Sequence, residues 1–331
     1  MVRKHLLCHM SFCKSLMSLI NYGVGEGDFL CHISKMLKES KLTPEIFDRK
    51  SVKLHRNRAA RDLPAFDFLL CEVADMVADR LSDIRRCFPV ALDVGCHTGQ
   101  ISNVLAGRGG IETLLQCDLS EQMARRTNGL KIVADEEFLP IADNVLDLVI
   151  SCLSLHWVND LPGTLIQLRR ALKEDGLFLA ALFGGKTLKE LRESLITAES
   201  EIMGGAGPRV SPFADVKDGG ALLQRAGFAL PVADTNVLTV SYENPLKLMG
   251  DLRGMGEQMA SHNRLKSFTR REIIYRAAEI YQANYGNVDG RVPATFEVIT
   301  LTAWSPSSNQ QQPLMRGSGQ INLANVFGPK N

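Results

Sequence analysis

Alternation of short apolar runs with helical stretches constrains this chain more than any other feature. The runs are Val90–Val94, Thr113–Cys117, Lys131–Ala134, Leu146–Ser151 and Leu177–Leu182. Helical segments separate several of them, among them Thr98–Gly107, Ser120–Thr127 and Pro162–Leu172. Two more precede the first run, "PEIFDRKSVKLHRNRAA" and "FDFLLCEVADMVADRLSDI". This spacing predicts an α/β fold, a doubly wound and mostly parallel sheet with helices on both faces. Right-handed crossovers then gather the C-terminal strand ends into one crevice, where ligands bind.

The residues at those strand ends carry chemistry. In "ALDVGCHTGQ" an acid, Asp93, stands just before Gly95, and Gly99 follows. Glycines there let backbone approach a ligand closely. Asp118 ends the second run, where an acid accepts from both hydroxyls of a ribose. Asp135 and Glu136 end the third, where an acid can meet the exocyclic amine of an adenine. Any one of these acids alone reads first as a cap or a solvated loop residue; the three in register are harder to dismiss. A dinucleotide fingerprint needs G-x-G-x-x-G facing a pyrophosphate, and this loop has only Gly95 and Gly99. Asp93 would repel a pyrophosphate and suits an ammonium. The loop therefore favours S-adenosyl-L-methionine, which carries an ammonium and a sulfonium and no phosphate, over NAD.

Composition excludes several classes. With 45% hydrophobic and 23% charged residues and a net charge of +1, the chain has no global pull toward nucleic acid. Its eight cysteines form no C-x-x-C pair, which argues against a disulfide framework or a structural zinc site. None of the seven histidines begins an H-x-D or H-x-E pair, so a facial triad for non-heme iron is not written into the sequence. The longest apolar stretch, "GLFLAALFGG", is far short of the roughly 20 residues of a membrane span. The first 25 residues hold Arg3, Lys4, Lys14 and several serines, with no acid before Glu26. That reads as a mitochondrial transit peptide within residues 1–40; a frayed basic helix is the other reading. A domain over 41–305 with a helical insert at about 245–285 follows, and then a polar tail, 306–331, expected to be disordered.

The ordered series "LDVGCHTG", "CDLSEQM", "ADEEFLPIADNVLDLVISCLSLHWVNDLP", "LKEDGLFLAALFGG" and "LLQRAGF" resembles the type 11 group of class I S-adenosylmethionine-dependent methyltransferases. "IFDRK…RNRAA", "DLRGMGE" and "GRVPATFEV" narrow the resemblance to the mitochondrial complex I assembly factor five family. That family is related to malonyl-carrier-protein methyltransferases. The resemblance implies a Rossmann-like sheet with one antiparallel strand near the C-terminus. It implies arginine hydroxylation of an iron–sulfur subunit of NADH:ubiquinone oxidoreductase, with other assembly factors as partners. It places the protein in the matrix, at most peripheral to the inner membrane, and favours the transit peptide.

Carried onto this chain, the resemblance puts Asp93, Gly95, Cys96 and Gly99 around the methionine part of the cofactor. It puts Asp118 and Leu119 at the ribose, Asp135 and Glu136 at the adenine, and Leu153 nearby. His97 departs from the family's G-C-G at positions 95–97. Its imidazole either crowds the cofactor or serves as a base. His156 and Trp157 are the catalytic candidates, Trp157 stacking on an arginine guanidinium and His156 handling a proton. The alternative is that Trp157 packs under the next helix and His156 caps it. Helices beyond residue 185 either dock a protein or extend the core. Three functions stay open: the protein hydroxylase, a carboxyl O-methyltransferase on an acyl-carrier thioester, and a non-catalytic assembly chaperone.

Overall fold

Strand β1, Val90–Val94, lies next to the central strand of a seven-stranded sheet whose order is β3-β2-β1-β4-β5-β7-β6. The computed structural model describes residues 45–311 and 317–318. The transit-peptide segment and most of the polar tail lie outside the described residues. The chain enters through α1 (Arg49–Ala59), a short 3-10 turn (Leu63–Ala65) and α2 (Phe68–Ser82). After β1 come α3 (Gln100–Leu105), β2 (Thr113–Asp118), α4 (Glu121–Ala124) and β3 (Leu130–Val133). The chain then crosses back to β4 (Leu146–Cys152), followed by α5 (Leu161–Ala171), β5 (Leu172–Phe183) and α6 (Lys189–Met203). The C-terminal part holds α7 (Val216–Arg225), β6 (Ala229–Tyr242), α8 (Pro245–Met255), α9 (Arg271–Tyr285) and β7 (Val292–Trp304).

Strands β1 to β5 pair in parallel, and β7 runs antiparallel between β5 and β6. Alternation along β5 shows how the sheet makes two cores. Leu177, Leu179, Ala181 and Phe183 join the cluster under α2, α6 and α9. Phe178, Ala180 and Leu182 join the cluster under α5 and α7. The strand–helix order expected from the sequence is present, with two differences. β5 begins at Leu172 rather than Leu177, because Leu172 pairs with Leu146 beyond a register shift. α3 is shorter than Thr98–Gly107, since Gly99 (φ 97°) and Ala106 (φ 42°) bound it in left-handed conformations. The helical insert consists of α8 and α9, placed between β6 and β7.

Sheet order reverses between β1 and β4, which is where a doubly wound sheet opens its crevice. The C-terminal ends of β1, β2, β3 and β4 meet there, and α1 lies across them.

Candidate functional site

The loop after β1 is a bare-backbone cradle. Gly95 and Cys96 both donate their N–H to the Cys117 carbonyl at the end of β2, at 2.7 and 3.0 Å. Gly95 has φ 71°, and a Cβ there would lie 2.0 Å from Ser154 Oγ. His97 also takes a left-handed backbone, φ 49°. Its N–H donates to Asp118 Oδ2 at 3.1 Å, and its ring Nε2 meets the Cys152 carbonyl at 3.1 Å. A carbonyl only accepts, so Nε2 carries the hydrogen and Nδ1 the lone pair. Burial, then Arg56, pushes this imidazole's pKa down, so the ring is neutral.

Beneath the cradle, Asp93 is fully buried and neither carboxyl oxygen has a partner. Burial, reinforced by nearby Asp118, pushes its pKa up to about 8. An orphaned acid of this kind fits the ammonium group of an amino acid. The Cys96 thiol is raised well above its ordinary value by the same burial and is inert. Leu153, at φ 48°, is buried where the chain leaves β4.

At the β2 end, Asp118 accepts from Ser120 N at 2.7 Å as well as from His97 N. Its third partner is Arg56 of α1, whose Nη1 lies 3.4 Å from Oδ2. The same nitrogen lies 3.0 Å from Glu136 Oε1, and Arg56 Nη2 donates to Ser154 Oγ at 2.8 Å. Arg49, seven residues earlier and so on the same helix face, pairs with Asp135 at 2.7 Å and with Glu136. It also donates to the Trp157 carbonyl at 3.1 Å. Burial alone would raise the Glu136 carboxyl, but Arg49 and then Arg56 outweigh it and hold the pKa at about 2. Leu119 packs with Phe47, Val52, Trp157 and Ala260 in a small cluster under α1.

His156 and Trp157 face the insert. Glu257, just past α8, accepts from His156 Nε2 at 3.1 Å and Trp157 Nε1 at 3.0 Å on the same oxygen. Phe183 and Phe213 lie against the His156 ring at centroid distances of 4.8 and 5.8 Å. Trp157 meets Phe47 edge-on at 5.3 Å. His156 does not cap the following helix; Asp160 does, accepting from Gly163 N.

The structure thus brings Asp93, Gly95, Cys96, Gly99, Asp118, Leu119, Asp135, Glu136 and Leu153 to one end of the sheet, with His156 and Trp157 beside them. Sequence reasoning missed Arg49, Arg56, Ser154 and Glu257. A signal for the first two existed: three acids in register need counter-cations, and "DRKSVKLHR" offers two arginines on one helical face.

A methyltransferase domain family matches residues 92–180, the span from β1 through most of β5. The chain is 44% identical to mitochondrial arginine-hydroxylase NDUFAF5 of Mus musculus over 288 residues, 85% of this chain and 83% of that one. It is 42% identical to the Homo sapiens protein of the same name over 310 residues, 92% of this chain and 89% of that one. It is 32% identical to the malonyl-[acyl-carrier protein] O-methyltransferase of Gallionella capsiferriformans, covering 79% of this chain and 92% of that one.

Proposed function

The chain belongs to the mitochondrial arginine-hydroxylase NDUFAF5 family, and from that premise we propose that it binds S-adenosylmethionine and hydroxylates arginine. The substrate in this reading is an iron–sulfur subunit of NADH:ubiquinone oxidoreductase, met in the mitochondrial matrix during assembly with other assembly factors. The observation that carries the cofactor reading is Asp93, a buried acid with both oxygens unpartnered under a glycine cradle. Asp93, Gly95, Cys96 and Gly99 would take the methionine part, with its ammonium on Asp93. Asp118 and Leu119 would take the ribose, Asp135 and Glu136 the adenine, and Leu153 would line the cofactor. S-adenosylmethionine supplies, when bound, a sulfonium-activated methyl group, which serves the methyl-transfer reading. Hydroxylation takes its oxygen atom from dioxygen, with two electrons and two protons from a separate reductant reducing the second oxygen to water. His156 and Trp157, both buried and held by Glu257, would act on the substrate arginine by fixing the turn after β4 that borders the crevice.

Calorimetry on the purified chain is expected to show binding of S-adenosylmethionine or S-adenosylhomocysteine and none of NAD. Asp118→Ala should weaken it by about 1.5–3 kcal/mol through lost charge-assisted hydrogen bonds. Unchanged affinity would remove Asp118 from the site. Mass spectrometry of the iron–sulfur subunit from cells with and without this protein tests the reaction: an arginine heavier by one oxygen only when the protein is present. A carboxyl methyl ester on an acyl-carrier thioester would instead select the second reading, which the Gallionella relative favours. A reporter fused behind residues 1–40 should enter mitochondria; diffuse cytosolic signal would refute the transit peptide.

A further inference from the structure

We propose that α1 is a displaceable plug: Arg56, with Arg49, occupies the acids that would hold ribose and adenine, and the cofactor enters only as the helix swings away from them. This rests on the cofactor reading above and adds the regulation of that same site.

The Arg56 guanidinium is 1% exposed and sits between Asp118, Glu136 and Ser154. Asp118 already accepts two backbone N–H groups, so the remaining acceptor capacity of its carboxylate is what Arg56 uses. A ribose diol needs that same capacity. Glu136 is fully buried, and its two oxygens are taken by Arg56, Arg49 and the Ser154 hydroxyl. Guanidinium and nucleoside therefore compete for one set of lone pairs.

The plug is seated imperfectly. Arg56 Nε is buried with no partner, and the contacts to Asp118 are long, at 3.4 and 3.5 Å. A buried guanidinium that leaves one donor unmet and makes long contacts to one of its acids recovers less of its desolvation cost than a fully bonded one, even though its pairing keeps Glu136 ionised. The apolar support is also divided. Val52 rests on the five-residue cluster with Phe47, Leu119, Trp157 and Ala260, outside both main cores. Ala59, Ala60 and Leu63, at the far end, belong to the main core. Arg56 lies in the last turn of α1, just before this anchor, so α1 from Arg49 through Arg56 swings as one body about Ala59–Leu63 and disrupts the satellite cluster.

Hydrogen exchange on the full chain tests this directly. With saturating S-adenosylhomocysteine, amides of residues 50–58 should exchange at least about tenfold faster, while β1 and β2 slow. Calorimetry supplies the second reading: a plug closed nine-tenths of the time raises the apparent dissociation constant about tenfold. Arg56→Met should therefore bind about tenfold more tightly than wild type, and Arg56→Lys, which keeps the charge, should stay near it. Should Arg56→Met fail to fold, exchange on the wild type decides alone. Ligand binding that protects or leaves unchanged the α1 amides would overturn the plug while leaving the cofactor site standing. Binding by neither wild type nor Arg56→Met would overturn the cofactor site and the plug with it.

Discussion

Glu257 Oε2 lies 3.1 Å from His156 Nε2, so the segment after α8 supplies a carboxylate to the turn that follows β4. Because a carboxylate only accepts, Nε2 carries the hydrogen, while Nδ1 is buried without a partner. The Trp157 indole donates to the same oxygen. We expect Glu257→Ala to cost about 3 kcal/mol, since two buried donors lose their acceptor. Glu257→Gln should cost less, because its amide oxygen still accepts. Burial would raise the Glu257 carboxyl, but His156 and then Arg56 outweigh it and lower its pKa. A lowered carboxyl contributes stability above its ordinary range that is lost in acid. Urea midpoints across acid pH check this; a wild type and Glu257→Ala that lose stability in parallel would contradict it.

Gly95 and Ser154 are fitted to one another. A Cβ on Gly95 would lie 2.0 Å from Ser154 Oγ, and the backbone there is at φ 71°. Ser154 cannot simply turn away, because its hydroxyl accepts from Arg56 and donates to Glu136, both at 2.8 Å. Gly95→Ala should therefore destabilise by about 2–3 kcal/mol, of which about 1 kcal/mol is left-handed strain. Adding Ser154→Gly should recover the steric part and leave the strain. Strict additivity in this double-mutant cycle would sink the argument.

The acids at the strand ends are legible because apolar runs of strand length end at or within two residues of them, which puts Asp93, Asp118 and Glu136 in register. The partners of those acids were not. Arg49 and Arg56 sit on a helix more than sixty residues from Asp118 in sequence, and the chain offers 38 lysines and arginines to choose among. Glu257 is separated from Trp157 by 100 residues, and only the packing of the insert brings it to the crevice. His97 was legible as an anomaly in a glycine loop. Its direction was not, since the Cys152 carbonyl that fixes the ring lies on another strand.

Asp93 makes the site sensitive to pH. Burial first, and Asp118 second, raise its carboxyl to about 8 from an ordinary 3.8. The sign follows from the raised value: its contribution to stability is full below 3.8 and is lost as pH rises through about 8. An ammonium placed on Asp93 favours the charged form, so binding releases a proton below that pH. Affinity for S-adenosylhomocysteine should rise between pH 6 and 8, by at most about tenfold per pH unit, and then level. Calorimetry at pH 7 in two buffers of different ionisation heat should report close to one proton released. Asp93→Asn should abolish the release. Proton-neutral binding by wild type would remove Asp93 from the ammonium.

His97 separates crowding from catalysis. Its backbone is at φ 49°, where a Cβ costs about 1–2 kcal/mol and glycine nothing. The ring is buried and anchored to the Cys152 carbonyl, so removing it also empties space and leaves that carbonyl without its donor. His97→Gly relieves strain, but it frees the unfolded chain and opens a cavity. The net should be a loss of stability of about 1–2 kcal/mol, read from a urea titration. Cofactor affinity should move the other way, tightening by about 1 kcal/mol as the cradle beside Asp118 relaxes. Arginine hydroxylation in cells carrying the glycine variant should persist. Unchanged affinity with lost modification would instead make the free Nδ1 a working base, and weakened affinity would mean that the imidazole holds the loop in its binding shape.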